Sequence, residues 1–111
     1  MKKIVLVLLF IITYSFTNTL EDGKLAYDNN DYIKAFKIYE ELASNGNANA
    51  QYALGMMHQK GDGVKKKKKN AVYWYEKAAI QGILEAQYML YYIYSFGSYG
   101  HVQEDKKKSM K

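Results

Sequence analysis

Residues 35–46, AFKIYEELASNG, and residues 71–82, AVYWYEKAAIQG, decide the fold, because the second stretch restates the first 36 positions later. Ala, Tyr, Glu, Ala and Gly coincide. The next stretch keeps the same register: Ala50-Gln51-Tyr52, Leu54 and Gly61 fall on Ala86-Gln87-Tyr88, Leu90 and Gly97. A shared offset held across two helix-like segments and the glycines between them marks stacked supersecondary units, none of which buries its apolar face alone. Such a chain is built to hold something on a surface and lacks the plan of a catalytic pocket.

Working outward, every segment downstream of residue 19 reads as helix. Thr19 and Asp22 form a capping box for a short helix carrying Leu25-Ala26 and stopping at Asn29-Asn30. Asp31 caps a second, in which Ala35, Ile38, Tyr39 and Leu42 make one apolar stripe and Gly46 supplies the left-handed end. Asn47 opens a third with Ala50, Ala53, Leu54 and Met57, ended by Gly61-Asp62-Gly63. A fourth runs from about Asn70 with Ala71, Trp74, Tyr75, Ala78 and Ala79, and ends at Gly82. A fifth carries Ala86, Met89, Leu90 and Ile93 as far as Gly97. No segment alternates with period two between turn dipeptides, so sheets are not expected. Alanines 35, 50, 71, 78, 79 and 86 let neighbouring backbones approach, and Trp74, on the stripe with Ala71 and Ala78, is expected to be a core anchor.

At this point the chain resembles a known family. Ala50-xxx-Leu54-Gly55-xx-His58-xx-Gly61-x-Gly63-Val64, followed by Ala71-xx-Trp74-xx-Lys77-Ala78-Ala79-xx-Gly82, is similar to a Sel1-like repeat, a relative of the tetratricopeptide repeat. Residues 26–46 resemble a shorter tetratricopeptide-type unit, and a third begins at Ala86-xxx-Leu90 and reaches Val102, Asp105, Lys108 and Ser109. The resemblance implies an all-α, short α/α solenoid of about two and a half helix-turn-helix repeats over residues 20–111. It also implies a scaffold or adaptor role, with the first helices of the units lining a concave surface for a protein or peptide. Some positions depart from the pattern. Gly55 is matched by Tyr91, so close helix contact there is relaxed or repacked; His58 stands where the pattern has Tyr, which Tyr94 restores; Lys67 replaces an Asp that Asp105 keeps. Residues 97–102 carry extra positions, and the sequence reaches Lys111 where the last unit's partner helix starts. The helix at 83–96 is therefore expected to expose an apolar face, to be covered by another copy, a partner or a membrane. The alternative is a truncated or accessory fragment that needs another chain to complete its last repeat.

Residues 1–19 read as a signal peptide. Lys2-Lys3 precede an apolar run from Ile4 to Ile12, followed by polar Thr13-Tyr14-Ser15. That run is about half of the 18 or more residues a spanning helix needs. Small residues at Ser15/Thr17 or Thr17/Thr19 suit a cleavage site, and the alternative is an anchor extending through residues 4–16. The expected location is exported, periplasmic or secreted. All 16 basic residues are Lys, Cys is absent and there are 12 Tyr. Without Cys there is no disulfide framework, thiolate metal site or lipoprotein anchor; without Arg the bidentate phosphate fork is missing, which weighs with export against nucleic acid as a partner.

Nothing in the sequence assembles an active site, so the chain reads as a non-enzyme without cofactor or metal. His58 and His101 are far apart, no HExxH or CxxC occurs, and the adjacent pairs Glu40-Glu41 and Glu104-Asp105 do not converge on one atom. A hydrolase acting on wall components would need a nucleophile constellation that is missing. Lys65, Lys66, Lys67, Lys68 and Lys69 form a charge run that reads either as an electrostatic patch, with membrane-surface contact as one use, or as a solvated interhelical loop. The candidate partner-binding residues are Tyr52 with Met56 and Tyr88 with Tyr92. They are i, i+4 pairs at matching positions of successive units, off the Ala/Leu stripe, and would form an aromatic ladder on the inner surface or else roof a thin core. Self-association through the uncapped last repeat is a further expectation.

Overall fold

Short polar side chains start the helices where the chain has them. In the computed structural model, which describes residues 17–96, Thr19 opens α1 (Leu20–Asp28). Its hydroxyl accepts from the Asp22 backbone N–H at 3.3 Å, and the Asp22 carboxylate accepts from the Thr19 N–H at 2.8 Å, so two otherwise orphaned donors are satisfied. Asp31 caps α2 (Tyr32–Ser44) by accepting from Lys34 N, and Asn47 caps α3 (Ala48–Lys60) by accepting from Ala50 N. Two more helices follow, α4 (Lys68–Ile80) and α5 (Leu84–Phe96), and no strand occurs among the described residues. The signal-peptide reading of residues 1–19 falls outside the described residues except for 17–19, and so do the readings of 97–111, His101 among them.

Each helix packs chiefly against its neighbours in sequence, α1 on α2, α2 on α3, α3 on α4 and α4 on α5. Of the six alanines in the small-residue reading, Ala35, Ala50, Ala71, Ala78 and Ala86 are fully buried and Ala79 is half-buried. The core divides in two. One cluster joins Ala26, Ala35, Tyr39, Ala43, Ala50, Leu54 and Met57 across α1, α2 and α3; the other joins Ala71, Tyr75, Ala78, Ala86 and Ile93 across α4 and α5.

A glycine of one helix seats a tyrosine of the next, twice. A Cβ on Gly23 would lie 2.8 Å from the Tyr39 ring, and one on Gly55 would lie 2.5 Å from the Tyr75 ring. Tyr39 and Tyr75 keep the 36-residue offset, whereas Gly23 and Gly55 do not; the difference is absorbed by the turns, residues 29–31 in the first unit and 61–67 in the second. The aromatic ring can lie against the backbone only because no side chain intervenes. Amide side chains repeat as well. Gln51 Nε2 donates to the Ala43 carbonyl at 3.2 Å and Gln87 Nε2 to the Ala79 carbonyl at 3.1 Å, so each unit's first helix adds a side-chain donor to a carbonyl at the end of the helix before it, one that also accepts from the N–H of Gly46 or Gly82. Gln81 adds a bridge between units, donating to Gln51 Oε1 and to the Gly46 carbonyl.

The longer turn before α4 is pinned to the first unit. Tyr27 Oη donates to Asp62 at 2.6 Å, which together with burial pushes the phenol pKa up to about 12. Gly63 has φ +70°, and a Cβ there would meet the Tyr32 carbonyl oxygen at 2.6 Å. Both the left-handed backbone and the contact require glycine.

Two expectations change. The fourth helix begins at Lys68, two residues ahead of Asn70, and its N-cap Lys67 makes no side-chain cap bond. Lys68 and Lys69 are therefore helical and sit in a first turn where positive charge opposes the helix dipole, so packing has to hold that turn in place. Trp74 is half-buried against the first cluster, while Tyr75 beside it is fully buried. A step of one residue rotates the side chain by about 100° on a helix, and the smaller ring takes the position facing Gly55.

Candidate functional site

The residues expected to form one aromatic ladder divide between two environments. Tyr52 and Met56 on α3 are half-buried and pack against the second core cluster, with the Tyr52 ring 5.8 Å from that of Tyr75. Burial, with the Glu85 carboxylate as a smaller cause, raises the Tyr52 phenol pKa above its usual value. The two do stand off the Ala/Leu stripe, which packs in the first cluster, but α4 and α5 cover their side of α3 as well, so of the two readings it is the roof over a core that fits them. Met56 keeps some access, lining with Tyr27, Tyr39, Ala53 and Met57 a small cleft of about 130 Å³.

At the matching positions of α5 the picture reverses. Tyr88 is 64% exposed and Tyr92 39%, and they are joined by Leu84 at 72%, Tyr91 at 64% and Phe96 at 66%. The rings of Tyr92 and Phe96 lie 5.3 Å apart. Spacings of four, three, one and four residues place all five on one side of the helix. The opposite side carries Ala86, Met89, Leu90 and Ile93 into the second cluster. The helix is thus apolar on both faces, and only one face is covered among the described residues. Leu84, Tyr91 and Phe96 were missed by sequence reasoning, which compared units position by position. At 91 and 96 the matching residues of α3 are Gly55 and Lys60, so neither entered the ladder; the i, i+4, i+7 spacing within α5 alone would have found them.

The lysines form a largely exposed run. Lys65, Lys66, Lys67 and Lys69 are exposed and Lys68 half-buried. No group of His, Cys, Asp and Glu that could hold a metal ion occurs among the described residues, and no described helix is long and apolar enough to cross a membrane.

His58 is the one buried side chain among the described residues with an unpartnered polar atom, Nδ1. Its ring meets Phe36 edge-on at 5.4 Å. Burial lowers its pKa and Lys67 lowers it further, while Glu40 opposes. The repeat explains the location: Tyr94, one unit on, donates its hydroxyl to Glu76, the counterpart of Glu40. The unfolded chain therefore binds a proton on this residue at higher pH than the folded one does. The stability contributed by neutral His58 is complete above about pH 6.5 and falls as pH drops through 6.5 toward the lower folded value. The expected result is a melting temperature that declines between pH 7 and pH 5 in the wild type and declines less in His58→Tyr. Equal declines in the two proteins would show that His58 stays solvated.

Among the described residues, five helices that pack in sequence order, with glycine–tyrosine seats and amide ties recurring from unit to unit, define an α/α solenoid. The chain belongs to the Sel1 repeat family, whose model matches residues 20–47, 48–83 and 84–111. The middle match contains α3 and α4 entire, and the third opens with α5. No curated protein matches the chain. Sel1 repeats are typically modules for protein–protein interaction and are generally non-catalytic.

Proposed function

We propose that this is an exported adaptor that docks a protein or peptide partner on the outer face of α5. The observation that carries the reading is the stripe of Leu84, Tyr88, Tyr91, Tyr92 and Phe96, open to solvent on a helix whose other side is already buried. Contiguous apolar patches of several hundred Å² on soluble proteins mark interaction sites. Tyr suits such a surface because its ring supplies area and its hydroxyl a hydrogen bond. Export rests on Lys2-Lys3 and the apolar run Ile4 to Ile12. Tyr88 and Tyr92 keep the binding role read from the sequence, whereas Tyr52 and Met56 serve the stack.

Hydroxyl-radical footprinting of the protein, alone and after incubation with an envelope extract, tests the reading. Tyr88, Tyr91 and Phe96 should be modified readily in the dilute protein and protected in the extract. Tyr73 on α4, 52% exposed, should react equally in both. Unchanged modification of α5 both in the extract and at high concentration of the protein itself, or protection confined to the lysines at 65–69, would refute it.

A further inference from the structure

We infer that the occupant of the α5 stripe is a second copy of this chain, bound isologously with the two α5 helices antiparallel. The inference rests on the docking surface proposed above and specifies its partner. Four observations carry it. First, the face carries one charge: Glu85, exposed at its N-terminal end, is the single charged residue of α5, and an antiparallel pairing sets the two copies' Glu85 at opposite ends of the contact, without like-charge repulsion. Second, the stripe is self-complementary when reversed, with Tyr91 nearest its middle, Leu84 opposite Phe96, and Tyr88 opposite Tyr92. That is the requirement of a two-fold contact. Third, the area suffices. Allowing about 200 Å² for each fully exposed large side chain, the five present roughly 600 Å² per copy at their observed exposures. Two copies then remove about 1,200 Å², the lower edge of specific interfaces. Fourth, the other candidate surfaces fit poorly. At the far end of the stack α1 exposes Glu21, Asp22, Lys24 and Asp28 around a lone apolar Leu25, which makes a head-to-tail array largely a charged-to-apolar contact.

The stripe is also poorly shaped for a further helix packed as α4 packs on α3. Gly55 leaves the room that seats Tyr75, and Tyr91 fills the matching place on α5 with its own ring. An occupant cannot approach α5 as closely there; it has to meet protruding rings with rings of its own. Residues 97–111 offer little for this, since apart from Tyr99, Val102 and Met110 they are polar, charged or glycine.

The chain has no cysteine, so single-cysteine variants report contacts cleanly. The purified protein should sediment as a concentration-dependent dimer. Tyr91→Cys should give a disulfide-linked dimer on mild oxidation, and Tyr73→Cys should not. Tyr91→Lys should raise the dissociation constant at least about 30-fold, with helical circular dichroism and melting of the dilute protein retained. A monomer at high concentration would overturn the inference. So would a dimer indifferent to Tyr91→Lys, or a Tyr91→Cys thiol blocked within a monomer, which would place the chain's own residues on the face. A monomer whose α5 is still protected in envelope extract would overturn the second copy as occupant and leave the docking surface standing.

Discussion

Tyr75→Ala is expected to lower stability by about 3–5 kcal/mol, the cost of emptying a large aromatic site in a packed core. Tyr75 is fully buried, lies against the bare backbone at Gly55, touches the ring of Tyr52, and donates its hydroxyl to Gln59 Oε1 at 2.5 Å. Removing it leaves the Gly55 cradle empty and the α3–α4 contact without its largest fully buried side chain. Small domains have a total stability of about 5–15 kcal/mol, so a cooperative melt should move down by well over 10 °C or vanish. Trp74→Ala, at a half-buried position, should cost less, about 1–2 kcal/mol. Thermal melts followed by circular dichroism check both. A larger loss from Trp74→Ala than from Tyr75→Ala would mean that the helix is rotated relative to the packing described here. The seat itself has a signature: Gly55→Ala should destabilise the wild type and become nearly neutral once Tyr75 is alanine, because the two positions share one contact.

The helices were legible in the sequence because their signals are local. Thr19, Asp31 and Asn47 announce helix starts by side-chain chemistry that works within three residues, and all three make the expected cap bonds. The family was legible for a related reason, since the 36-residue offset places Ala50, Gly61, Ala71 and Gly82 in a pattern that needs no coordinates. What escaped was the choice between adjacent residues on one stripe. Trp74 and Tyr75 are both apolar and both near the packing side, and only the position of Gly55 on the facing helix decides between them. Gly23 escaped too, because the shorter first turn removes it from the 36-residue register that links Tyr39 to Tyr75.

The split of the aromatic ladder between a covered and an open half escaped in the same non-local way. Tyr52 and Tyr88 occupy equal places in their units, and no single-unit pattern distinguishes them. Their environments differ because α3 is followed by α4 and α5, which cover its side chains, whereas no described helix follows α5. Identical positions in a solenoid acquire different roles from their rank in the stack.

That difference sets the second large effect. Changing both Tyr88 and Tyr92 to Ser should weaken docking by more than about a hundredfold, since buried aromatic anchors at interfaces cost about 2 kcal/mol or more each. Folding should respond little. Exposed side chains away from special contacts usually change stability by under about 0.5 kcal/mol, and Tyr88 is nearly two-thirds exposed. Tyr52→Ser should behave in the opposite sense, because the Tyr52 ring covers Tyr75 and belongs to the second core.

The most direct measurement is therefore a side-by-side comparison of Tyr52→Ser with Tyr88→Ser/Tyr92→Ser. Each immobilised protein is assayed for the second copy or envelope protein it retains, and each soluble protein, diluted until it is monomeric, for its melting temperature. The account expects Tyr88→Ser/Tyr92→Ser to lose retention at an unchanged melting temperature, and Tyr52→Ser to melt lower while retaining its partner below that melt. Retention lost in Tyr52→Ser with its melt intact, alongside full retention in Tyr88→Ser/Tyr92→Ser, would contradict the account and return the binding surface to the inter-repeat face of α3.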